Sequence, residues 1–144
     1  FPYYAESWTG QEYLAAAHLI FAGMPREGIE AVRNVRARYD GERRNPWNEP
    51  ECGHHYARAL SSWSTLLAAS NFRYHGGERS VTIKAPPGFR CFWSTATGWG
   101  TFRVTQTGAV LRVDHGELRV RTATVNGKRS TPGATIAEGK ELAL

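Results

Sequence analysis

Long apolar runs are missing from this chain of 144 residues. None reaches the ~18 residues that a membrane-crossing helix needs, so no helical span is expected. Cysteine is scarce: Cys52 and Cys91 stand 39 positions apart, in segments of different character. One such pair supports no disulfide reading, and two reduced, partly buried thiols are expected. There is no internal repeat, no low-complexity segment, and no charged leader followed by a cleavage site. An initiator Met is also lacking. The opening FPYYAESW reads as the middle of a longer polypeptide, so the chain is expected to be a fragment whose N-terminal part lies elsewhere in the same protein. The length suits one domain with a real core, or a piece of a larger one.

The net charge of +5 is unevenly placed. Residues 1–77 hold eight Arg and eight acidic residues and balance, whereas residues 78–144 hold ten basic and five acidic residues and carry all of the excess. A basic excess raises nucleic acid as a partner. Arg103, Arg112, Arg119 and Arg121, however, fall singly between apolar residues. That is the pattern of a solvated strand face rather than a phosphate-binding stripe, so no nucleic-acid partner is expected.

The two halves have different periods. From Gln11 to Met24 the chain is apolar nearly all round, which predicts a helix buried on more than one side. Thr9 is its expected N-cap, with Glu12 completing a capping box. From Glu27 to Tyr39, Ile29, Val32, Val35 and Tyr39 define a helix with one buried face. A third helix is expected from near His54 to about Asn71. Tyr56, Leu60, Trp63 and Leu67 make a bulky stripe on it, and Ala57, Ser61, Ser64 and Ala68 a small-residue one. Both stripes can pack, so this helix too is expected to be enclosed. In a double-layered helical toroid such an order reads as inner, outer, inner; a simple helical bundle is the alternative.

The second half alternates with period two through Val81-Ile83-Ala85, Phe89-Cys91-Trp93, Phe102-Val104, Leu111-Val113 and Leu118-Val120. Pro86-Pro87-Gly88, Thr107-Gly108, His115-Gly116 and Asn126-Gly127 punctuate it as turns, the last a strong hairpin signal. Several short antiparallel strands are expected. The domain reading is therefore residues 1–75 helical and residues 76–144 an antiparallel β segment.

The densest chemistry lies in RRNPWNEPECGHHYAR, residues 43–58. Short connections make successive helices antiparallel, which puts the N-termini of the first and third helices at one end. Trp8 then shares a rim with Glu49, Glu51, His54, His55 and Arg58. An arginine in a helix's first turns opposes the macrodipole, and Glu49 or Glu51 can offset it, as a structural staple between loop and helix. Metal is disfavoured because zinc ligands come in spaced pairs from two elements, and no second cluster accompanies Cys52, His54 and His55. Cys52 has His neighbours but no identified orienting partner for nucleophilic work.

ESWTG, YLAAAHLIFAGM, RNPWNEPECGHHYARALSSW and LLAASNFRYHG together resemble the C-terminal end of glycoside hydrolase family 116. That family includes bacterial β-glucosidases and the non-lysosomal glucosylceramidase. The resemblance spans roughly residues 5–75, with departures at Ser7 and His54. It implies an α+β fragment: the C-terminal helices of an α/α toroid of six helical hairpins, then a short antiparallel β segment. It implies retaining β-glycosidase activity toward a β-glucoside or related glycoside, with no cofactor and no metal. The nucleophile and acid/base belong to upstream segments, so no catalytic residue is expected on this chain, which alone should be inactive.

What the resemblance carries onto this chain is sugar recognition. Glu49 and Arg58 match the pair that holds O4 and O6 of glucose beside the cleaved bond, and Trp8 matches an aromatic wall of that pocket. A carboxylate accepts from adjacent hydroxyls, a guanidinium donates in a fixed fork, and an aromatic face covers the C–H side of a pyranose. Glu51 and His55 are expected to hold the loop from behind. The rival from another class is a non-catalytic carbohydrate-binding module built on Trp93, Trp99 and the STATGWG stretch. A hydrophobic core is the expected use of those tryptophans.

Overall fold

The computed structural model describes residue 4 and residues 6–49, 51–57 and 59–144, with the side chains of residues 51, 52 and 59 left aside. The chain divides into two compact units, Phe1–Ala69 and Ser70–Leu144.

The first unit holds α1 (Thr9–Phe21), α2 (Pro25–Arg38), a 3-10 turn (Glu51–His54) and α3 (Ala59–Ser70), the last ending at the unit boundary. Helix α1 starts where the carbonyl of Trp8, in extended backbone, accepts from Gln11 N (3.1 Å) and Glu12 N (3.2 Å). Thr9 is thus the first helical residue and not the cap, and the capping box does not form. Glu12 instead pairs with Arg38 at the far end of α2. Pro25 opens α2, where its fixed φ suits the first turn. Gly28 sets how closely the two helices approach. A Cβ there would lie 2.6 Å from both the Ala16 carbonyl oxygen and Ile20 Cγ1. Ala17, Ile20 and Ala68 form the small apolar cluster of this unit.

Helix α3 departs from the expected enclosure. Its small-residue side is the covered one, with Ala68 fully buried. The bulky stripe faces out, Leu60 at 84% exposed, Trp63 at 55% and Leu67 at 59%. The helix also begins later than expected. Gly53 (φ 73°) and His54 (φ 67°) are both left-handed, which ends the 3-10 turn and prevents a helix from running through His54.

The second unit holds β1 (Phe72–His75), β2 (Ser80–Ile83), β3 (Arg90–Thr95), β4 (Gly98–Val104), β5 (Ala109–Val120), β6 (Thr122–Val125), β7 (Lys128–Ser130), β8 (Ala134–Ala137) and β9 (Glu141–Ala143). One sheet has the order β1-β2-β6-β7. The other has β3-β4-β5, with β9 on the first part of β5 and β8 on its last part. Strands β2 and β6 pair in parallel, Ser80 with Thr122 through Ile83 with Val125; the remaining ladders are antiparallel.

The expected architecture is therefore corrected. Among the described residues three helices of 13, 14 and 12 residues accompany nine strands in two sheets, a mixed α+β fold and not the end of an α/α toroid. Nor is the β part wholly antiparallel. Period two identifies strands but carries no direction, and β2 meets β6 only after β3, β4 and β5 have formed their own sheet.

Trp93, Phe102, Ile83, Leu111, Leu118, Val81, Val113 and Val120 are the largest wholly buried side chains, and all lie in this unit. Phe72 stacks on Trp93 (5.9 Å between centroids) and on Phe102 (5.6 Å). Trp93 satisfies its indole N–H by donating to the carbonyls of Thr101 (3.1 Å) and Arg112 (3.2 Å), as a buried indole requires. Gly100 makes room for it: a Cβ there would stand 3.0 Å from Trp93 Cζ2 and 2.0 Å from the Arg112 oxygen.

Asn126 and Gly127 are both left-handed and link β6 to β7 by the two-residue turn that fits strand twist. Asn126 also donates Nδ2–H to Ala85 O (2.9 Å) and accepts at Oδ1 from Ala85 N (3.1 Å). His115-Gly116 is no turn. It lies within β5, where the ladder to β4 shifts register between Trp99 and Gly100 and leaves Asp114 as the extra residue.

Candidate functional site

The loop from residue 40 to 57 is held by backbone and side chains together. Asp40 accepts at Oδ1 from Glu42 N (3.0 Å) and Arg43 N (2.8 Å), and at Oδ2 from Arg43 Nη1 (2.6 Å). Those backbone N–H groups, then the Arg43 charge, hold the Asp40 carboxyl below the usual aspartate range. Arg44 lies 5.5 Å from the Tyr39 ring centroid, donates to the Tyr39 hydroxyl (3.3 Å) and pairs with Glu6 at 3.6 Å. The Tyr39 hydrogen bond leads in raising its pKa.

Farther on, the loop closes on itself. Glu49 N donates to Tyr56 O (3.1 Å) and Tyr56 N to Trp47 O (2.9 Å), forming a bridge between Asn48 and Tyr56. Within it His54 Nδ1 hydrogen-bonds Asn48 Oδ1 at 2.8 Å, and His55 Nδ1 donates to Gly53 O at 2.9 Å. His54 thus spans the loop, whereas the bond of His55 is local.

Glu49 is the pivot of this arrangement. It is 2% exposed, the one charged side chain among the described residues that is buried. Its Oε1 accepts from Thr9 N at 3.0 Å and its Oε2 from Thr9 Oγ1 at 2.5 Å. A carboxylate at the first N–H of α1 completes a donor that the helix itself cannot satisfy and sits at the positive end of the macrodipole. The fold thereby brings residues forty positions apart into contact. Glu49 reaches the residue next to Trp8, which is half-buried. Thr9, Tyr13, Tyr39, Trp47, Glu49 and Ala57 line a cleft of about 240 Å³ at this point.

Of the residues named from the sequence, Glu49 reaches the start of α1 through Thr9, the residue that follows Trp8. His55 lies exposed in the closing loop. Arg58 lies outside the described residues, and the side chain of Glu51 is likewise not described. In place of the expected cap role, Thr9 serves as anchor for Glu49. Nothing local announces it, because the contact is made by tertiary folding alone. Among the described residues no group of three or more His, Cys, Asp or Glu converges to hold a metal ion. Among them also, no helix is long and apolar enough to cross a membrane.

No protein-family model matches the chain, and no curated protein matches it.

Proposed function

We propose that this chain is the C-terminal part of a retaining β-glycosidase of the β-glucosidase and glucosylceramidase type, and that it supplies sugar-recognition residues to the active site. The paired catalytic carboxylates of that chemistry would come from sequence preceding this chain, since they must stand ~5 Å apart across the scissile bond. The motif resemblance around residues 43–58 is the origin of the reading. The observation that carries it furthest is the fixation of Glu49. An ionised carboxylate offers about four lone-pair sites, and Thr9 occupies one on each oxygen. The remaining sites can accept from two neighbouring hydroxyls, such as O4 and O6 of glucose, while Thr9 keeps the group from rotating. On this reading the resemblance assigns Trp8 the role of apolar wall and Arg58 that of the complementary donor fork.

One observation favours a second reading. The Glu49–Thr9 bonds are also what a purely structural loop-to-helix staple would make. Kinetics on the protein expressed with all the sequence that precedes this chain in its reading frame separates the two. If Glu49 and Arg58 hold hydroxyls, Glu49→Gln and Arg58→Lys each lower kcat/KM for an aryl β-glucoside by roughly a hundredfold or more. A β-xyloside, which lacks the exocyclic hydroxymethyl group, loses less. Early melting of both variants with equal loss toward both glycosides identifies the staple instead.

A further inference from the structure

The sheet unit carries a feature that the glycosidase reading does not use. The side chains of β3, β4 and β5 alternate between the core and a solvated face. On that face Phe92, Trp99 and His115 form a row of exposed rings, Phe92 at 41% and Trp99 at 45% exposed. Ring centroids are 6.3 Å apart between Phe92 and Trp99 and 6.1 Å between Trp99 and His115. Local sequence accounts for the row. The register shift beside Trp99 places His115 directly opposite it, and Phe92 is its diagonal neighbour on β3. Trp93, by contrast, points into the core.

We propose that this row is a platform for a neutral, soluble, β-linked oligosaccharide, with successive pyranose rings stacking their C–H faces on successive side chains. The spacing is comparable to the length of one sugar residue in such a chain. One hydrogen-bonding group stands on the same face: Thr101, exposed and in register between Phe92 and Arg112. The β3–β4 turn at the end of the row is fixed by side chains: Thr95 Oγ1 donates to Gly98 O (3.1 Å) and accepts from Thr97 N (3.4 Å), and Thr97 Oγ1 donates to Glu117 O (2.9 Å).

Charge decides between a sugar chain and a single-stranded nucleic acid, which also stacks on aromatic rows. Arg112 pairs with Asp114 (2.7 Å) and Glu141 (4.0 Å), Arg103 pairs with Glu141 (3.7 Å), and His115 faces Glu138 at 3.2 Å. With Arg90 as the surplus cation, the surroundings are close to neutral. A phosphate backbone is bound by rows of uncompensated cations. Planarity decides between soluble and crystalline glycan. The rings are inclined by 38° and by 35° to their neighbours, so the three do not define one plane. A flat crystal face cannot meet all three, whereas a free chain can turn with them.

The test is calorimetric titration of the full 144-residue chain with cellohexaose, laminarihexaose and xylohexaose. Saturable binding of at least one is expected, weakened by about tenfold or more in Trp99→Ala and in Phe92→Ala, and less in Trp99→Phe. Both side chains are exposed, and unchanged amide spectra verify that the variants fold. Glu49→Gln is expected to leave this binding intact, so the platform stands or falls apart from the active-site reading. Absence of saturable binding, or binding indifferent to both alanine variants, overturns the proposal. So does tighter, salt-sensitive binding of an oligothymidylate. Retention on crystalline cellulose overturns the choice of a soluble chain.

Discussion

Trp63 and Trp93 meet opposite environments. Trp63, on α3, is 55% exposed beside Leu60 and Leu67, while Trp93, on β3, is 2% exposed and stacked on Phe72. The contrast extends to the units that hold them. The helical unit has a small core of Ala17, Ile20 and Ala68 and leaves Leu14, Phe21, Leu60, Trp63 and Leu67 in solvent. The sheet unit encloses its large apolar residues, Phe92 and Trp99 excepted, in one continuous cluster. Apolar surface removed from water is worth roughly 25 cal/mol per Å², so the two units draw very different stabilisation from similar residue types. A stripe of large side chains shows that a face is suited to burial. Whether anything buries it depends on what else is folded nearby.

The largest effect expected on this comparison comes from the sheet core. Trp93→Ala removes a wholly buried ring and leaves the Thr101 and Arg112 carbonyls without their shared donor, which should cost about 3–5 kcal/mol. Urea unfolding followed by strand amide resonances measures it. Trp63→Ala, at an exposed position, should change stability by about 0.5 kcal/mol or less. If the two substitutions cost the same, Trp63 is covered in solution and the contrast between the units dissolves.

A smaller effect should sharpen the comparison within the helical unit. There the buried polar anchor between Glu49 and Thr9 takes the part that apolar packing plays in the sheets. Thr9→Val keeps the backbone donor and the side-chain volume but removes the hydroxyl. It should lower the stability of α1 by about 1–3 kcal/mol, because Glu49 Oε2 loses a charge-assisted bond while buried. Helical amide exchange should accelerate while strand amides stay protected. Equal acceleration in both units would show that they unfold as one.

The sequence was most legible where local chemistry decides. Asn126-Gly127 fixed its hairpin because two left-handed residues in succession leave few other turns. Of the face expected on α2, Val35 is buried, Val32 and Tyr39 are partly buried and Ile29 is exposed, while Gly28, outside that pattern, is the other buried residue. The failures have a common origin in what pattern omits. His115-Gly116 has turn composition, yet Gly116 serves a bulge in a long strand, which only the partner strand reveals. The two-sided apolarity of α3 suggests enclosure, yet its bulky side faces solvent. The parallel pairing of β2 with β6 was invisible because alternation has no polarity. At the candidate site, residue types singled out Glu49, but its partner Thr9 could not be found from spacing. Trp93 and Trp99 share one short segment and differ only in which face of the sheet they occupy.

The smallest expected effect concerns the Asp40 loop that follows α2. Its carboxylate holds the backbone N–H groups of Glu42 and Arg43, and these, with the Arg43 charge, lower its pKa in the folded state. A depressed carboxylate pKa means that the unfolded chain binds the proton more readily. The contribution of Asp40 is therefore complete above the unfolded pKa and is lost as pH falls through the lower, folded one. The window lies below about pH 4. The group is exposed, so the effect is screened and slight, and it belongs to the helical unit alone. Between pH 6 and pH 2, Asp40→Asn should flatten part of the acid dependence of the exchange of the Glu42 and Arg43 amides. It should leave the strand amides untouched. Asparagine keeps the same turn geometry with its carbonyl oxygen, which isolates the charge from the hydrogen bonds. If Asp40→Asn shifts the acid midpoint of strand amides as much as that of the loop, the two units share one titration and the loop is not a local device.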